Sequence, residues 1–179
     1  VKVVKVKAPH CRREPQPTGP KLFKLVQGTA PDGTPYTIEG ALVEFPGHES
    51  SFSVNAQTGL EGSSEEEASI AVGPLGGVPK PSPWHHLVGC PPHPFALVYG
   101  LLAPPGSSVL ARTPEGLVPL AEQQLDPKLH ADGPLFYGVF AALPSELIVR
   151  RADGSTLYTE SLVTKAKENA EFCEGFAEP

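Results

Sequence analysis

The densest run of reactive side chains is Trp84-His85-His86-Leu87-Val88-Gly89-Cys90-Pro91-Pro92-His93. Imidazole nitrogen and thiolate sulfur are the ligands that zinc and copper prefer. His85, His86 and His93 are therefore the candidate metal ligands. Two features oppose that chemistry. Adjacent His85 and His86 rarely converge on one ion, and Pro91 and Pro92 hold His93 in an extended segment. Cys90 is lost as a ligand if it enters a disulfide. The plainer expectation for residues 84–93 is a loop leading into a core strand.

The chain has three cysteines, Cys11, Cys90 and Cys173, and no CxxC or other zinc spacing. One disulfide with a spare thiol and three buried thiols are both open to it. Position favours a Cys90–Cys173 bond. Cys90 stands just before a long apolar run, and Cys173 ends the apolar stripe of a C-terminal helix. Cys11 lies in a proline-rich stretch with fewer restraints. Such a bond implies an oxidising compartment.

Other catalytic patterns are missing. Ser63, Ser64, Ser107 and Ser108 sit in polar turns, and none occupies a GxSxG elbow. His10, His48 and His130 are isolated. GPLGG lacks the Lys-Ser/Thr of a phosphate loop. Glu65-Glu66-Glu67 has no DxDxDG frame for calcium and reads as a solvated acidic loop. No catalytic residue and no cofactor is expected.

The elements that would position such residues are mostly strands. With 18 glycines and 22 prolines among 179 residues, long helices are broken and short strands joined by turns are favoured. Residues 21–29 and 36–45 flank Asp32-Gly33, a hairpin signal. Residues 52–54 and 70–72 are short strand candidates. Residues 95–103 (FALVYGLLA) are nearly continuously apolar, which predicts a strand buried on both faces. Residues 109–113, 117–120, 135–143, 147–151 and 156–159 complete the set, with a second Asp-Gly turn at Asp153-Gly154.

LVYGLLA at 97–103 is echoed by LFYGVFA at 135–141. Two core strands with the same needs explain it: bulky interior residues, then a glycine where a neighbour approaches. Helical spacing appears at 160–173, where Leu162, Ala166, Ala170 and Cys173 form one stripe. Lys165, Lys167, Glu168, Asn169 and Glu171 fall away from it.

The expected fold class is mainly β, an antiparallel β-sandwich of immunoglobulin-like or prealbumin-like type with one C-terminal helix. Residues 1–20 (beginning VKVVKVK) read as an N-terminal strand and linker. Residues 21–78 read as an N-terminal β module and 84–179 as a C-terminal sandwich module with the helix. The proline- and glycine-rich stretch 73–83 separates the two, which are also compatible with one shared domain.

The turn GTAPDGTPY at 28–36 and the stretch from VYGLLAPPG at 98–106 to Ala152-Asp153-Gly154 resemble uncharacterised exported actinobacterial proteins with immunoglobulin-like or prealbumin-like β modules. The resemblance covers residues 22–45 and 90–175. It implies a fold and an extracellular or cell-envelope location, with no activity or ligand to carry over. Lys2, Lys5 and Lys7 precede no apolar stretch of signal-peptide type, which departs from that pattern.

The net charge of −6 and pI near 5.5 repel nucleic acid on average. No apolar run approaches the roughly 18 residues that span a bilayer. Three readings remain: a non-enzymatic exported module binding a protein or small ligand, a small metal-binding protein using residues 85–93, and an enzyme whose site forms only in three dimensions. Loops 46–69 and 121–134 are the expected carriers of specificity.

Overall fold

The structure is a computed structural model describing residues 19–44, 50–59, 84–91, 94–101, 106–129, 131 and 133–174. It is mainly β, with antiparallel sheets stacked face to face and one α-helix.

The first sheet is a meander of β1 (Lys21–Thr29), β2 (Pro35–Val43) and β3 (Ser51–Thr58). Alternation sorts its residues. Tyr36, Ile38 and Leu42 on β2 and Phe52, Val54 and Ala56 on β3 point to one buried face. On β1 the register shifts between Lys24 and Val26, so Leu25 is a bulge. The extra residue resets the phase and brings Val26 opposite Ile38. The β1–β2 turn closes as the sequence predicts. Gly33 takes φ +93°, and the Asp32 carboxylate accepts hydrogen bonds from the Thr34 amide at 3.0 Å and hydroxyl at 2.7 Å.

The middle sheet has the order β4-β5-β9-β8, with β4 (His85–Gly89), β5 (Phe95–Leu101), β8 (Ala121–Gln123) and β9 (Leu135–Phe140). The third sheet has the order β11-β10-β6-β7, with β6 (Ser108–Thr113), β7 (Gly116–Pro119), β10 (Glu146–Arg150) and β11 (Thr156–Ser161). The chain passes from β7 to β8, and so between sheets, at Leu120. That residue is buried, and its amide donates to the Val109 carbonyl at 2.9 Å.

The middle sheet is covered on both sides, and β5 records it, since all seven residues are buried. Phe95, Leu97, Tyr99 and Leu101 join the cluster containing Ile38, Phe52 and Val54 of the first sheet. Val98 joins a second cluster with Trp84, which precedes β4, and with Val109, Ala111, Leu147 and Val149 of the third sheet. The predicted two-faced burial of this strand is what the structure has. The echoed segments are neighbours: β5 and β9 pair antiparallel, with Tyr99 opposite Tyr137.

Several expectations change. Residues 85–89 form a strand paired with β5, not a loop, because Leu87 and Gly89 alternate inward and the backbone completes the β5 ladder. The helix, α1 (Val163–Glu174), starts later than the stripe suggested, since β11 continues to Ser161. Ala170 is exposed while Lys165 and Asn169 are half-buried, so the inner stripe runs through Asn169. Loop 121–134 contains β8 and a 3₁₀ turn at Pro127–Leu129. In loop 46–69, β3 occupies Ser51–Thr58. Residues 1–18, the candidate strand 70–72 and the stretch 73–83 lie outside the described residues.

Candidate ligand-binding groove

Strand β4 decides how the histidines are used. Adjacent residues of a strand point to opposite faces, so His85 and His86 diverge. His85 lies on the Tyr99 side, with ring centroids 5.7 Å apart. His93 lies outside the described residues, as do His10, His48, His130, Cys11, Ser63, Ser64 and the Glu65–67 run. Among the described residues no group of three or more His, Cys, Asp or Glu is placed to hold a metal ion. Ser107 is buried, and Ser108 opens β6 opposite Arg150.

The same strand positions α1. At one end of the helix the Lys165 ammonium donates to the Trp84 carbonyl at 3.5 Å. At the other, Cys173 is disulfide-bonded to Cys90, with Cα atoms 5.2 Å apart. The helix therefore runs alongside β4 in the same direction. Its base is fixed by Leu162, which is 1% exposed and packs with Trp84 and Leu147. The Leu162 amide donates to the Ser145 carbonyl, and its own carbonyl accepts from Ala166, each at 2.9 Å.

Between α1 and the sheets is a groove of about 480 Å³. Val88, Pro91, Pro94, Phe95 and Leu143 line it from the sheet side. The helix contributes Ala166, Asn169, Ala170 and Glu174, with Cys173 of the disulfide. That volume lies within the roughly 300–1,000 Å³ of small-molecule sites, which are lined mostly by apolar groups. Among the described residues, Glu174 is the one lining side chain with a charge.

Asn169 is an uncharged polar residue of the lining. Its Nδ2 is buried and has no hydrogen-bond partner. The sequence carried a usable signal: residues 162, 166, 169 and 173 also follow helical spacing. The apolar type of Ala170 drew the stripe one position away. Val88 and Leu143 carried none, because the groove exists only once α1 lies beside β4.

Trp84 belongs to the same core cluster as Leu162. Its indole Nε1 donates to the Tyr158 hydroxyl at 3.1 Å. Burial pushes the Tyr158 pKa above the usual tyrosine range; the Trp84 hydrogen bond opposes this and Glu160 adds to it.

No protein-family model, curated protein or solved structure matches the chain. No helix among the described residues is long and apolar enough to cross a membrane.

Proposed function

We propose that the chain is a non-enzymatic, exported or envelope-associated binding module that takes a small, neutral, apolar ligand between α1 and β4. The carrying observation is the groove itself, lined mostly by apolar residues and bordered by the Cys90–Cys173 disulfide. Stacked antiparallel sheets are the architecture expected of immunoglobulin-like or prealbumin-like modules. The disulfide supports an oxidising location, because such bonds persist outside the reducing cytosol. Neither the metal reading nor the enzymatic one gains a specific observation among the described residues.

Nile red, a neutral dye whose emission rises in apolar surroundings, tests the reading. The oxidised protein binds it saturably. Ala170→Trp, which places an indole at the mouth from an exposed position, weakens binding at least about tenfold. Equal binding by both proteins rules the groove out as the site.

A further inference from the structure

We infer that the Cys90–Cys173 bond is a redox latch holding α1 in place as a removable wall of the groove. The ligand consequence rests on the proposed function; the helix movement stands without it.

The helix is weakly packed for its length. None of its twelve residues is buried. Val163 is 59% and Phe172 42% exposed. A surface helix ordinarily hides a continuous apolar stripe, and here Asn169 interrupts it. Its Nδ2 is desolvated without a partner, a state that water would relieve. Docking thus opposes itself at the centre of the helix, where Ala166, Asn169 and Ala170 also line the groove.

The restraints are unequal at the two ends. Leu162 is a core residue, and Lys165 bonds to the Trp84 carbonyl close by. This end is a hinge. The far end is tied covalently through Cys173. Once freed there, a twelve-residue helix is at the length where isolated helices are marginal in water, so it frays as well as swings.

The chemistry requires a dithiol reductant. Its thiolate attacks one Sγ of the bond, forming a mixed disulfide and expelling the other cysteine as thiolate. The reductant's second sulfur then attacks the mixed disulfide, releases the second cysteine and closes its own disulfide. Two electrons pass to the protein, and the two thiolates take up protons. Cys90 and Cys173 are only half-buried, so a thiolate has a route to them. Reduction thereby withdraws Ala166, Asn169 and Ala170 from the groove and releases what it holds.

Hydrogen–deuterium exchange on the full chain, with and without dithiothreitol, reads this directly. Reduction lowers the protection of amides 163–174 at least about tenfold more than that of β5 and β10, whose amides lose only what the fall in global stability takes. Reoxidation restores it, and Cys173→Ser behaves as the reduced protein in plain buffer. Nile red is released over the same reductant range. Unchanged protection of the helix, or equal loss across β5 and β10, overturns the latch. Release of the helix without any dye binding to the oxidised protein leaves the latch standing and removes the proposed ligand role.

Discussion

The Trp84 indole fills the space that a side chain at Gly100 would need: a Cβ built there lies 2.7 Å from Cε3 and 3.0 Å from Cζ3. The ring cannot yield easily. It is 2% exposed and tied through Nε1 to Tyr158. Gly100→Ala should therefore lower stability by about 1–3 kcal/mol, the usual range for overpacking a filled core. The equivalent glycine of the paired strand is a built-in control. A Cβ at Gly138 meets the Phe140 ring at 2.8 Å, but Phe140 is only partly buried and has room to move. Urea midpoints rank the two, and Gly138→Ala as the costlier change would contradict the packing described.

Tyr158→Phe leaves the buried Trp84 N–H without its acceptor. A loss of about 1–3 kcal/mol is expected. The same hydroxyl sets an alkaline limit. Its pKa is raised in the folded protein, chiefly because burial disfavours the phenolate. The folded state thus holds its proton more tightly than the unfolded chain. This contribution is complete below the unfolded tyrosine value of 10.0 and is lost as pH rises through the folded value. Tyr36 is raised by burial in the same direction. Urea midpoints followed from neutral pH past the tyrosine range should fall on the alkaline side. Tyr158→Phe should flatten that fall, and an unchanged slope would show that other groups cause it.

The two Asp-Gly turns share one design, so they should respond alike. Gly33 has φ +93° and Gly154 φ +82°, and a Cβ at either meets nothing within 4 Å. The cost of alanine is then purely conformational, about 1–2 kcal/mol each. Asparagine, which tolerates the left-handed region better, should cost less. At the second turn the Asp153 carboxylate accepts from the Ser155 amide at 2.8 Å and hydroxyl at 2.6 Å. Those bonds lower its pKa, the hydroxyl bond most. Its contribution is present above the unfolded carboxylate value and is lost as pH falls through the folded one. Thermal midpoints of Asp153→Asn and the parent protein should converge in acid. A gap that persists there would remove the carboxylate as the cause.

What the sequence disclosed follows from the range of the forces involved. Turn chemistry is local, so Asp32-Gly33 and Asp153-Gly154 were readable directly. Burial on both faces leaves an unbroken apolar run, so β5 was readable too. Strand β4 was not: His85 and His86 mask its alternation, and only pairing with β5 defines it. The use of Asn169 was also hidden, because helical spacing permits either 169 or 170 on the inner face. Contact with β4 chooses between them, and that is a tertiary event.

The Cys90–Cys173 bond closes a loop across 83 positions that includes β5 through β11 and most of α1. Such a tie acts mainly on the unfolded chain by restricting its conformations. For this loop length, closure entropy gives about 4–5 kcal/mol as an upper figure, since residual structure in the unfolded chain reduces it. The Cys90→Ser, Cys173→Ser double variant should lose stability up to that amount while keeping its strand content. Its urea m-value should rise, because an untied unfolded chain exposes more surface. A drop in midpoint with m unchanged would instead place the effect in folded-state contacts around α1. The pairing itself is read by peptide mapping without reductant. A linked Cys90–Cys173 peptide is expected, with Cys11, outside the described residues, alkylated as a free thiol. A linked peptide containing Cys11 would refute the pairing and, with it, the assignment of the stability loss to this loop.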